Sequence, residues 1–144
     1  MGIDFGTVRV GLALGERQCG LATPLETHVR KGKQADADRF QRLAEEEDVK
    51  LFVVGLPVHL SGQESEKSRQ ARNFGAWLEE LTGIPVVFFD ERFTTREAEQ
   101  LLIDAKVPKK KRKDKLDMLA AQIMLQAYLD SDHPEEQARH GLDD

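Results

Sequence analysis

Carboxylates stand at three separated places in this chain where the local pattern does not call for them. Asp4 interrupts an apolar run within MGIDFGTVRVGLALG at 1–15, Asp90 and Glu91 close the run IPVVFF at 84–89, and Asp117 follows Leu116 where an apolar periodic stretch begins. A carboxylate in a buried strand costs several kcal/mol unless it is paired or bound to a cation. Each acid has a simple use taken alone. Asp4 can bond to the turn at Gly6-Thr7, Asp90-Glu91-Arg92 can form a strand-end turn with a local ion pair, and Asp114 and Asp117 can cap a helix and complement its dipole. Taken together they point elsewhere. Three carboxylates that converge with no cation nearby repel one another, and a divalent ion resolves that conflict. Oxygen-only ligation selects Mg²⁺ or Mn²⁺, and two such ions can clamp a phosphodiester, activate water and stabilise the leaving oxygen.

A dense basic run, Lys109-Lys110-Lys111-Arg112-Lys113 and then Lys115, immediately precedes Asp117. Such a run is in general most often a solvated loop. Here its charges stand at the mouth of the candidate site, where attraction of a phosphate backbone is their natural use. The net charge of −5 does not argue against this partner. The stretch 130–144 carries six acids against Arg139, so residues 1–129 are neutral as a whole. The four histidines, at 28, 59, 133 and 140, lack ligand spacing and read as structural or surface residues. Cys19 is the only cysteine, which excludes a disulfide framework and a cysteine metal site and implies a reducing, cytoplasmic setting. Cys19 and Trp77 are expected to be core or half-buried packing residues. No G-x-S-x-G or Walker A sequence occurs, no apolar run approaches the roughly 18 residues of a membrane span, and the start lacks a signal-peptide pattern.

The elements that must position these residues follow from periodicity. Residues 1–15 read as a strand, a tight turn at Gly6-Thr7 and a second strand. Residues 19–29 alternate loosely as a third strand, which Pro24 confines to an edge or a bulge. A helix over 36–48 shows Phe40, Leu43 and Ala44 on one face. KLFVVGL at 50–56 is unalternating, as expected of a central parallel strand covered on both faces. A helix over 63–82 presents Ala71, Phe74, Leu78 and Leu81 and stops at Gly83. The strand at 84–89 ends in Asp90, Thr94 or Thr95 caps a helix over 96–105, and a basic loop over 107–114 leads into a last helix over 116–129 with Asp117 on its first turn. The order β-β-β-α-β-α-β-α-α implies an α/β domain at 1–130. Its sheet would be five-stranded and mixed, with three antiparallel strands, then two parallel ones, and helices on both faces. The acidic stretch 131–144 is expected to be a flexible tail.

GIDFGTVRVGLAL at 2–14, VVGLP at 53–57, the loop with Ser61-Gly62, DERFTT at 90–95 and KDKLDMLAAQIMLQAYLD at 113–130 together resemble the YqgF/RuvX family of bacterial pre-16S rRNA nucleases and Holliday junction resolvases. The resemblance spans residues 2–130 in order and spacing. It implies a ribonuclease H-like fold and a cytoplasmic, Mg²⁺- or Mn²⁺-dependent nuclease, a hydrolase that processes the 5′ end of pre-16S rRNA. Carried over by motif, it assigns catalysis to Asp4, Glu91 and Asp117, with Asp90 as a further metal ligand. Gly6, Thr7, Arg92, Lys109, Lys110, Lys111, Arg112, Lys113 and Lys115 are then the expected nucleic-acid contacts, on RNA or on structured or single-stranded DNA. Arg92 would orient Glu91 or touch the scissile phosphate. The rivals are a four-way-junction resolvase, which requires a symmetric dimer rather than a monomer, and a non-catalytic RNA-binding maturation factor. GIDFGT alone also resembles the phosphate-binding turn of actin-like ATPases, but those enclose a nucleotide between two such domains.

Overall fold

The alternation of large and small side chains along the first strands decides which helices cover which face of the sheet. The computed structural model of the chain describes residues 1–57, 65–90 and 94–131. Strand β1 (Gly2–Asp4) pairs antiparallel with β2 (Arg9–Glu16), setting Ile3 opposite Leu12 and Asp4 opposite Gly11. β3 (Leu21–Val29) extends the antiparallel ladder, with a register shift between Leu12 and Ala13 opposite Pro24. Pro24 cannot donate to a ladder, so it is tolerated on this outer strand. β4 (Phe52–Leu56) pairs parallel with β1, and β5 (Val86–Asp90) pairs parallel with β4. The sheet order is β3-β2-β1-β4-β5. The expected mixed sheet is therefore observed, three strands antiparallel and then two parallel.

One face carries Ile3, Val10, Leu12, Val54 and Leu56. It packs against Phe40 and Leu43 of α1 (Lys33–Glu46) and Ala71, Phe74 and Leu78 of α2 (Glu66–Thr82). The other face is lined by small side chains and buries Ala13, Val53 and Val87 against Ala121, Met124, Leu125 and Tyr128 of α4 (Lys109–Asp130). α3 (Thr94–Asp104) packs on α4. A Cβ on Gly2 would stand 2.8 Å from Leu125 Cβ, so the small residues on this face let α4 lie directly on the strands. Gln126 ties α4 to the edge of the sheet, accepting from the Ala22 amide at 3.0 Å and donating to the Gly20 carbonyl at 2.8 Å.

Three sequence-based expectations change. The helix expected from residue 63 opens at Glu66, because Ser65 and Ser68 form a reciprocal cap in which each hydroxyl accepts from the other's amide. Its stop at Gly83 is as expected, with a left-handed φ of 72°. Lys109 to Lys115 form no loop but open α4, so Asp117 lies in the third helical turn and not the first. Pro108 supplies the N-cap, its carbonyl accepts from Lys111 and Arg112, and lysine and arginine have high helix propensity. Cys19 is exposed, in a turn between β2 and β3, whereas Trp77 is half-buried as expected. Ser61-Gly62, Glu91, Arg92 and the stretch 132–144 lie outside the described residues.

Where β3 leads into α1, Asp36 is 2% exposed. It meets His28 Nε2 at 2.8 Å and accepts from Arg30 Nε and the Lys31 amide, each at 3.2 Å. Burial pushes the Asp36 carboxyl up, but the His28, Lys31 and Arg30 hydrogen bonds and the His28 charge outweigh it and hold the group below its ordinary range. A depressed carboxyl stabilises the fold above its unfolded pKa and loses that contribution as pH falls through the folded value. Asp36→Ala is therefore expected to cost about 2 kcal/mol at neutral pH. In urea denaturation the gap between wild type and variant should narrow below a pH of about 4; a gap that stays constant down to acid would remove the ion pair as its cause.

Candidate functional site

Three consecutive layers bring the first and last acids to one place. Asp4 is directly opposite Gly11 across the β1–β2 ladder. Residues facing each other across a ladder share a side of the sheet, so Asp4 faces α4, as Gly2 and Gly11 do. An ideal Cβ on Gly11 would stand 1.9 Å from the carbonyl oxygen of Asp117 and 3.0 Å from the amide nitrogen of Met118. Only glycine allows α4 to approach β2 at this point, and that approach sets the Asp117 backbone against the strand position next to Asp4.

Asp4 itself is held firmly. Ile3 on one side of it is wholly buried among the α1 and α2 side chains. Phe5 on the other side stacks on Phe74 with ring centroids 4.8 Å apart, and the Arg30 guanidinium lies 5.3 Å from the Phe5 ring centre. The turn that follows closes tightly: a Cβ on Gly6 would lie 2.4 Å from the Arg9 carbonyl, so Gly6 is required there.

Asp117 has a cationic partner. Arg9 Nε donates to Asp117 Oδ2 at 3.0 Å, with the two side chains 34% and 26% exposed. Sequence reasoning missed Arg9. The signal was available in the period of β2, where positions 9, 11, 13 and 15 share the face turned to α4 and Arg9 is the one large side chain among Gly11, Ala13 and Gly15. Gly11 was equally overlooked as the contact that assembles the site.

Asp90 is placed differently. β5 matches β4 with Phe88 beside Val54 and Asp90 beside Leu56. Val54 and Leu56 belong to the α1/α2 face, so Asp90 takes that side, while Val87 and Phe89 take the α4 side, where Phe89 meets Tyr128 edge-on at 5.7 Å. The structure sets Asp4 and Asp117 on the α4 face and Asp90 on the opposite face, at the end of β5, two strands from β1. Among the described residues no group of three His, Cys, Asp or Glu side chains forms a metal site. The two acids on the α4 face nonetheless offer the oxygen donors that a hard divalent cation takes.

Lys109, Lys110, Lys111 and Lys115 are exposed along the first two turns of α4, and Arg112 is half-buried with Nε donating to the Val107 carbonyl at 2.9 Å. The first turn contains no acid. α4 runs from this basic end past Asp117 at Gly11 to Leu125 and Leu129 at Gly15, so the charges lie at the same end of the sheet as Asp4 and Asp117.

The five-stranded 3-2-1-4-5 sheet with helices on both faces is a ribonuclease H-like fold. RuvC from T. thermophilus, solved in complex with a Holliday junction substrate, superposes with a TM-score of 0.54 at 14% identity, over 89% of this chain and 91% of that one. Residues 1–131 match the family model described as RuvX: Holliday junction resolvase, and the chain belongs to that family. A protein of Rhodopirellula baltica bearing the name "Putative pre-16S rRNA nuclease" is 43% identical, over 99% of this chain and 83% of its own length. Proteins of the same name from Koribacter versatilis and Dictyoglomus thermophilum are each 40% identical, over 90% and 91% of this chain and 85% and 94% of their own lengths.

The Gly11 contact has a direct consequence. Gly11→Ala must push α4 off β2, because the obstacle is backbone that cannot rotate away. Chemical denaturation is expected to show a loss of about 3 kcal/mol. A stability within about 0.5 kcal/mol of wild type would contradict the close approach.

Proposed function

We propose that the chain is a divalent-cation-dependent nuclease that hydrolyses phosphodiester bonds in precursor 16S rRNA. The observation that carries this reading is the approach of α4 to β2 at Gly11, which sets Asp117 beside the strand position of Asp4. Membership of the RuvX family and the names of the relatives support the reaction class and the substrate. Asp4 and Asp117 would hold Mg²⁺ or Mn²⁺ together with Glu91. Asp90, which β5 turns to the α1/α2 side, would flank the site. When bound, a pair of such ions supplies activation of water and stabilisation of the leaving oxygen.

The chain's own residues do the rest. β1 and α4 present carboxylate oxygens from rigid elements. Gly6-Thr7 keeps side-chain bulk away from Asp4 and leaves room for a phosphate. The lysines at the start of α4, with Arg112 and Lys113, draw the nucleic-acid backbone to that end of the sheet. Arg92 orients Glu91 or meets the scissile phosphate. No described helix is long and apolar enough to cross a membrane. A second reading, resolution of four-way DNA junctions, is favoured by the family description. It requires two cuts related by a dyad, hence a symmetric dimer.

Asp4→Asn and Asp117→Asn are each expected to lower Mg²⁺- or Mn²⁺-dependent cleavage of a labelled pre-16S fragment by about 100-fold or more, with unchanged circular dichroism. Full activity in either variant sinks its assignment. A four-way junction assayed alongside, with the mass by light scattering, separates the two substrates. In an Asp4→Asn background, Lys109→Gln/Lys110→Gln/Lys111→Gln should weaken RNA binding and flatten the dependence of log Kd on log salt by roughly 2, or about 0.7 per lost contact on a single strand. An unchanged slope would show that these lysines do not touch phosphate.

A further inference from the structure

Asp4 and Asp117 share the α4 face of the sheet, and Asp117 has a cationic partner in Arg9. Its side chain leaves β2 on the α4 face, two residues before Gly11, and Nε donates to Asp117 Oδ2. The pair is about one-third exposed and therefore open to solutes. A guanidinium stays charged at every working pH, so it cannot withdraw by losing a proton. A cation that approaches Asp117 must then share the carboxylate with a fixed positive charge.

We infer that Arg9 is a positioning residue that alternates between two anions: it neutralises Asp117 while the site lacks a divalent ion, and turns to a substrate phosphate when the ion takes that carboxylate. The inference rests on the metal-ligand reading of Asp117 and adds to it a residue with no part in that reading. Nε engages the carboxylate, and the guanidinium fork has further N–H donors whose planar geometry suits a phosphate. Arg9 sits at the same end of the sheet as the α4 lysines, where a backbone drawn in by them would arrive. The exchange makes cation and nucleic acid mutually favourable, because each relieves the other's competition for Arg9 or Asp117.

The test measures two affinities separately, without turnover. Mn²⁺ binding by calorimetry is compared for wild type, Arg9→Gln, Arg9→Lys and Asp117→Asn, and binding of a single-stranded RNA is measured for the same proteins in EDTA and in Ca²⁺, an oxygen-seeking ion that can take the carboxylate. Arg9→Gln is expected to bind Mn²⁺ about 5-fold tighter, as removal of one nearby positive charge at a partly exposed site implies, and to bind the RNA strand several-fold more weakly in Ca²⁺ with a smaller change in EDTA. Arg9→Lys, which keeps the charge, should stay within about 2-fold of wild type for Mn²⁺. Opposite shifts in the two affinities are the signature, since a merely structural role would weaken both. Unchanged or weaker Mn²⁺ binding in a folded Arg9→Gln overturns the inference. Failure of the metal-ligand reading looks different: wild type and Asp117→Asn would bind Mn²⁺ equally.

Discussion

The structure depends on one close approach. Gly11 lets the backbone of α4 touch β2, where a single added carbon would fall 1.9 Å from the Asp117 carbonyl oxygen. Everything on that face of the sheet follows from it. Gly2 and Gly15 continue the same contact toward Leu125 and Leu129, so α4 lies along the strands for its whole apolar length. The helix is held at that height by buried Ala121 and Met124 and tethered at the edge by Gln126. A helix raised by one side chain would carry Asp117 away from the strand that bears Asp4.

The two faces of the sheet divide the work. The α1/α2 face contains the aromatic packing of Phe5, Phe40, Phe74 and Trp77 and the buried Asp36 with its partners His28 and Arg30. It anchors the residues on either side of Asp4. The α4 face uses glycine and alanine near the strands and so accommodates a carboxylate site that large side chains would fill. Burying bulk on one side thus makes a polar site possible on the other.

Electrostatically, the basic opening of α4 runs against ordinary helix preference. Cations at a helix N-terminus oppose the macrodipole, at a cost of a few tenths of a kcal/mol each when exposed. The high helix propensity of lysine and arginine offsets that cost. The result is a rigid cluster of positive charge at the end of the sheet where Asp4, Arg9 and Asp117 meet, which suits a polyanionic substrate better than a mobile loop of the same composition.

The sequence by itself determined the element order, the mixed sheet, the edge position of β3, the stop at Gly83 and Asp4 and Asp117 as the residues to watch. These rest on local rules: hydrophobic period, turn chemistry, and the cost of an acid in an apolar strand. It did not determine where α4 begins, because a run of lysines has helix propensity but no apolar period to reveal it. It did not assign Asp90 a side of the sheet, because only the register of β5 on β4 does so. Nor did it disclose Arg9 as the partner of Asp117. The two are 108 residues apart, and only the packing of α4 onto Gly11 brings them within hydrogen-bond reach.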